Sequence, residues 1–229
     1  MMYRILTGFI IVLGLTTTSL ANDIYVTQSG NTLDLDITQD GQNNTLGNST
    51  TASASTGNAF NMDIDQIGDS NVIKYQINGA SYTGVISLTG NSNDVDLNCD
   101  STNGNSSCGT VSASITMVGS SNDLDIDIGQ TAAATGSEVT ITSAASDDSN
   151  VIAATVDGTS AILRITVDGD TNNWLVDIDG NGDANGHTLI HTHTGGIADV
   201  DIVQSGVYDN MITLTTNGDN ADIDISQTD

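Results

Sequence analysis

The chain has 229 residues and a formal net charge of −26, with 29 acidic side chains against 3 Lys and Arg. A surface this acidic repels a phosphate backbone and excludes nucleic acid as a partner. Proline is absent, aromatics make up 3% of the residues, and 24 glycines accompany abundant Asn, Ser, Thr and Asp; this composition suits many short strands joined by tight turns. High charge with few aromatics also fits a disordered chain, but the regular alternation of apolar and polar residues opposes that reading.

In chain order, residues 1–4 carry one positive charge and residues 5–15 form an apolar run about half as long as a bilayer-spanning helix. Small residues at Ser19 and Ala21 complete the pattern of a secretory signal peptide over residues 1–21. The expected mature domain is 22–229, exported and without a membrane span.

From Asp23 onward the chain repeats a phrase: an alternating strand, then Gln-x-Gly-x-x-Asn, then another alternating strand. Two copies are complete, Gln39, Gly41, Asn44 and Gln66, Gly68, Asn71. Others keep Gly and Asn behind an apolar residue: Leu88, Gly90, Asn93; Met117, Gly119, Asn122; Val167, Gly169, Asn172. Gln204 and Gly206 begin a further copy, with Asp209 where Asn is expected. Glycines lie near 11 residues apart in compact stretches (Gly30 to Gly41) and 22 apart elsewhere (Gly68 to Gly90). Eleven residues make one strand and one turn, so about 22 make a two-strand coil. Glycine and asparagine suit such corners because both tolerate left-handed backbone.

Apolar residues hold period two, as in Leu33, Leu35, Ile37; Met62, Ile64; Leu124, Ile126, Ile128; and Ile223, Ile225. One face of each strand is therefore buried, and a coil that cannot cover that face alone must stack on its neighbours. The expected fold is all-β, a β-solenoid of stacked two-strand coils. Insertions near residues 47–58, 98–109 and 129–137 follow alternate strands and are expected to loop out at one corner. Cys99 and Cys108 bracket the second of these; in an exported chain they predict a disulfide.

Outward positions are sorted by strand. One set carries Asp, for example Asp94, Asp96; Asp123, Asp125, Asp127; Asp199, Asp201; Asp222, Asp224. The other carries hydroxyls, for example Ser112, Ser114, Thr116; Thr140, Thr142; Thr213, Thr215. From Ile86 onward the two kinds mostly alternate along the chain, which predicts an acidic sheet backed by a hydroxyl sheet. Salt or bound Ca²⁺ would offset the repulsion among stacked carboxylates.

Asp177, Asp179, Asn181 and Asp183 resemble the start of a calcium loop, although Thr188 stands where a bidentate glutamate closes such loops. Ca²⁺ is the one cofactor suggested, and a turn between coils is the competing reading. His187, His191 and His193 are the only histidines; His191 and His193 share a face, but Leu189 and Ile190 leave open which one. Trp174 opens an alternating segment and reads as a core residue. No Ser, His and acid form an activated nucleophile, and the repeated carboxylates single out no acid or base. The reading is non-enzymatic.

The export signal, the absence of proline, the repeats near 22 residues and the phrase at 39–44 and 66–71 together resemble curlin, the major subunit of bacterial curli fibres. The resemblance implies an extracellular amyloid subunit at the surface of a Gram-negative-type bacterium, acting in adhesion and biofilm matrix. Its implied partners are further copies of itself and the curli-type outer-membrane secretion and nucleation components. The chain departs from curlin in placing Ile, Val and Leu where curlin stacks Gln and Asn, and in its longer loops. Two other readings stay open: an ice-binding solenoid, from the Thr-x-Thr pattern, and a calcium-loaded adhesive module. Residues 23–28 and 222–227 both read as repeat-like strands, so head-to-tail stacking through the terminal strands is expected.

Overall fold

Period-two alternation over almost the whole chain requires one face of every strand to be covered, and the computed structural model covers it by stacking successive coils. The structure describes residues 22–47, 50–99, 108–129, 136–144, 149–158, 160–179, 186–206 and 210–228. These contain β1 (Asn22–Ile24), β2 (Thr27–Ser29), β3 (Thr32–Asp40), β4 (Asn44–Leu46), β5 (Ser53–Gly57), β6 (Ala59–Ile67), β7 (Ser70–Thr89), β8 (Ser92–Cys99) and β9 (Cys108–Val118). They continue with β10 (Ser121–Ile128), β11 (Glu138–Ala144), β12 (Ser149–Asp157), β13 (Ile162–Asp168), β14 (Thr171–Asp179), β15 (Thr188–Thr194), β16 (Ile197–Ser205), β17 (Met211–Asn217) and β18 (Asn220–Thr228). No described residue is helical.

The strands form a β-solenoid with two arms per coil. One arm stacks β1, β4, the first part of β7, β8, β10, β12, β14, β16 and β18. The other stacks β3, β6, the rest of β7, β9, β11, β13, β15 and β17. Every pairing is parallel, and the repeat positions stay in register: Asn71 pairs with Asn93, Asn93 with Asn122, Asn122 with Asn150 and Asn150 with Asn172. Those four steps span 22, 29, 28 and 22 residues, so the coil is often longer than the expected 22. Extra length sits in corner loops, where closure entropy grows only slowly with chain length.

Inward residues of the two arms meet in one core that includes Met62, Ile64, Tyr75, Tyr82, Ile115, Leu124, Ile126, Ile141, Leu163 and Trp174, each at most 1% exposed. Tyr82 lies across Gly84, where a Cβ would come within 2.0 Å of the phenol oxygen. The smallest residue of one coil thus accommodates one of the largest.

The insertions share one corner. β4 is followed by Gly47, still held to the Ile24 carbonyl at 2.8 Å, and the chain is back in the stack at β5, which pairs with both β2 and β7. The intervals 100–107 and 130–135, outside the described residues, follow β8 and β10 at that same end of the arm. Cys99 is buried and disulfide-bonded, and the only other cysteine, Cys108, opens β9.

The opposite corner carries the repeat glycines, but for a different reason from the one their type suggests. Gly68, Gly90 and Gly119 do not adopt left-handed backbone. A Cβ on Gly68 would lie 2.0 Å from the Gly41 carbonyl oxygen, and one on Gly119 would lie 2.0 Å from that of Gly90. Successive turns touch backbone to backbone there, each glycine N–H donating to the coil beyond, as Gly68 does to the Thr89 carbonyl at 2.9 Å. Glycine is needed for close approach.

Candidate functional site

Three features of this scaffold are candidates for function: the internal polar ladder, the outer faces and the coil that carries the histidines. The ladder begins with the repeat asparagines, all of which point inward. Asn44 Nδ2 donates to Asn71 Oδ1 (3.1 Å), Asn71 to Asn93 (2.8 Å), Asn93 to Asn122 (2.7 Å), Asn122 to Asn150 (2.9 Å) and Asn150 to Asn172 (2.7 Å). Buried amides need partners for their donors and acceptors, and in-register stacking gives each Oδ1 from Asn71 to Asn172 a donor from the preceding coil.

Asn150 belongs to this ladder although no glycine precedes it at the repeat spacing. Its signal was the Ser-Asn pair alone, which also opens β8 and β10. Gln39 and Gln66 form the start of a second ladder, with Gln66 Nε2 donating to Gln39 Oε1 at 2.5 Å. Leu88 and Met117 follow in the same column. Gln204 and Gly206 do not continue it. Gln204 lies on the other arm, pairs with Ile178 and Gln227, and sits at the insertion corner. Its Nε2 donates to the His187 carbonyl at 3.1 Å, and Gln227 Nε2 donates to Gln204 Oε1 at 3.3 Å. Asn210, outside the expected motif, closes this corner by donating to the Gly206 carbonyl at 3.4 Å.

The outer faces sort by arm, with a switch. On the first arm Asp94 and Asp96 pair with Asp123 and Asp125, and Asp199 and Asp201 pair with Asp222 and Asp224. At strand spacing each such pair repels by about 1 kcal/mol in water. Burial, and then Asp94, raises the Asp123 carboxyl above its ordinary value; burial, then Asp127 and Asp96, raises that of Asp125. Lys74 relieves the patch, its Nζ lying 2.7 Å from Asp94 Oδ1.

The second arm presents hydroxyls from Ser87 onward, including the unbroken column Thr116, Thr142, Thr166, Thr192 and Thr215. Of its three charges two are paired, Arg164 Nε lying 3.3 Å from Glu138 Oε1, and the third is Asp168 at the end of β13. In the first coils the arrangement is reversed: Asp34, Asp36, Asp63 and Asp65 lie on the second arm.

Of the suggested calcium ligands, Asp177 and Asp179 lie on β14, while Asn181 and Asp183 fall outside the described residues. Among the described residues no three His, Cys, Asp or Glu side chains converge as metal ligands would. Nor is any described helix long and apolar enough to cross a membrane.

The register that the sequence leaves open at β15 is decided by its pairing. Leu189 stacks on Leu163 and Ile212, so His187, His191 and His193 all face the core, each at most 1% exposed. The Trp174 ring packs between them across the coil, with ring centroids 4.4 Å from His191 and 5.0 Å from His193. Burial, and then His193, pulls the His191 imidazole down to about 4. Burial also lowers His193, against an opposing pull from Asp168.

No protein-family model matches the chain, and neither does any curated protein or solved structure.

Proposed function

We propose that the chain is an extracellular structural subunit that stacks end to end into a curli-like fibre, serving adhesion and matrix at the surface of a Gram-negative-type bacterium. The observation that carries this reading is the in-register ladder. Each coil offers the next the same columns, and the outermost described coils offer them too. Continuing the columns would set Ile223 on Ile24 of a second copy, Ile225 on Val26, Leu214 on Ile37 and Gln227 on Gln28, extending the Gln204–Gln227 ladder. Ile24, Val26, Ile212 and Ile223 are only partly buried, and Ile225 is 49% exposed, so such a contact would bury apolar surface.

The reversed faces of the first coils favour the same contact. Asp34 and Asp36 would meet Met211 and Thr213 rather than carboxylates, and Asp222 over Asp23 would be the one like-charged pair among these strands. Further copies and curli-type secretion and nucleation components are the partners this reading implies. It assigns the chain no catalytic step.

Electron microscopy and fibre diffraction of the 22–229 chain test it: fibrils with a reflection near 4.7 Å are expected. Replacing Ile223 and Ile225 together by proline removes ladder donors at the docking edge and should block elongation. A parent chain that stays monomeric when seeded, or a double variant that elongates as fast as the parent, would refute the reading.

A second reading rests on the five-threonine column, which presents a row of hydroxyls and methyls at strand spacing to an ordered surface such as ice. Thermal hysteresis at millimolar protein tests it, and its absence would dismiss the idea.

A further inference from the structure

The polar ladder ends where Ala198 stands in place of the next asparagine, and a histidine takes over. Asn172 Oδ1 accepts from Asn150 (2.7 Å), which fixes Nδ2 as the donor end of that amide. This Nδ2 donates to the Gly169 carbonyl (2.8 Å) and faces His193 Nδ1 at 3.3 Å. His193 Nδ1 must therefore offer a lone pair. At His187 the same holds, because the Ala161 backbone N–H donates to its Nδ1 at 3.0 Å. Adding a proton to either nitrogen sets N–H against N–H in a closed core, where neither donor can turn into an acceptor. His191 lies on the same face two residues from His193, buried against Trp174, and its Nε2 has no hydrogen-bond partner among the described residues.

We propose that β15 is a pH-sensitive seam: protonation of its inward histidines in mildly acidic medium detaches the coils built by β15, β16, β17 and β18 from the rest of the solenoid. The consequence for assembly, withdrawal of the C-terminal docking face, rests on the fibre reading above; the opening itself does not.

The charged groups around the seam do little to oppose it. On β13, Asp168 at the strand end favours a charged His193, and Arg164 lies on the outer face paired with Glu138. β17 carries no ionisable side chain. Across the core, Asp177 of β14, Asp199 and Asp201 of β16, and Asp222 and Asp224 of β18 point outward. A buried base with a lowered folded value stabilises the fold fully above about pH 6.5, and that contribution is lost as pH falls toward about 4. For His191 alone, the ratio of open to closed coils rises about 20-fold between neutral pH and about pH 5, and about 200-fold once the pH is well below 4.

Trp174 is the only tryptophan, so its fluorescence reads the seam directly. The 22–229 chain, kept monomeric by dilution, is titrated from about pH 7.5 to about pH 4 while hydrogen exchange is followed by peptide. Trp174 emission should quench and shift to the red, and residues 186–206 and 210–228 should lose protection with a midpoint between about pH 4 and about pH 6.5, while 92–99 and 108–128 stay protected. The double variant His191→Leu, His193→Val places in β15 residue types found next to it in the same columns, Leu214 and Val167, and should shift the midpoint to lower pH, with His187 left as the one inward histidine.

If that variant does not fold at neutral pH, His193→Val alone should shift the midpoint down. An unchanged protection pattern in the parent down to about pH 4, or the parental midpoint in the variants, overturns the proposal. Fibre formation is assayed separately at pH 7, where failure counts against the assembly reading alone.

Discussion

Asn122 is the side chain on which the internal ladder can be tested most directly. It is 1% exposed; its Oδ1 accepts from Asn93 (2.7 Å), and its Nδ2 donates to Ser143 Oγ (2.8 Å) and Asn150 Oδ1 (2.9 Å). Asn122→Ala removes three buried hydrogen bonds, each worth about 0.5–1.5 kcal/mol net. Some of the loss is cushioned. Asn93 Nδ2 keeps the Val118 carbonyl at 3.2 Å, and Asn150 Oδ1 keeps Ser143 Oγ at 2.7 Å.

The expected cost of that substitution is about 3 kcal/mol, or about 6–12 °C in melting temperature for a chain of this size. Asn61→Ala is the control, because Asn61 also donates to its neighbour, Asp34 Oδ1 at 2.8 Å, but on the exposed face; it should cost less than about 1 kcal/mol. Asn122→Leu separates the two causes, since it refills the volume without restoring the hydrogen bonds. Calorimetry and urea unfolding of the dilute monomer measure all three. If Asn122→Ala costs no more than Asn61→Ala, or Asn122→Leu recovers full stability, the ladder does not contribute as argued.

Other outcomes follow from the same geometry. Tyr82→Phe should be neutral or raise the melting temperature, because the buried Tyr82 hydroxyl has no hydrogen-bond partner among the described residues, whereas Tyr75→Phe should cost about 1 kcal/mol by removing the 2.5 Å bond to Ser55 Oγ. Gly119→Ala should cost about 3 kcal/mol by forcing apart coils in backbone contact, while Gly136→Ala, with open space around it and φ of +68°, should cost about 1 kcal/mol in thermal unfolding.

Asp123→Asn with Asp125→Asn should raise the melting temperature at pH 7 and flatten its dependence on salt. Because the folded values of these carboxyls are raised, the parent's middle coils should gain protection as pH falls toward the ordinary carboxylate value, the opposite sign to the histidine coil; hydrogen exchange by region reads both.

Much of this protein was legible from alternation alone. A strand places every second side chain on one face, so Leu33, Ile64, Leu124 and Ile202 could be assigned to a core, and coils that cannot cover that core singly had to stack. The sorting of the outer faces from Ile86 onward, interrupted where Val151, Ala153, Asn173 and Leu175 stand in the Asp columns, and the single corner for the insertions followed from counting strands. Other properties depended on which residues meet between coils, which chain spacing does not encode. The adjacent apolar pair Leu189 and Ile190 allows either register, and only the pairing of β15 with β13 and β17 turns the histidines inward. Gln204 follows the motif in sequence but reaches the opposite corner, because insertions change the coil length. The reversal of the acidic face in the first coils appears only once strands are assigned to arms. The corner glycines suggested left-handed turns, yet most answer to a carbonyl about 2 Å from where a Cβ would stand. Local conformation is written in the residue itself, whereas contact between turns is set by the stacking of the whole solenoid.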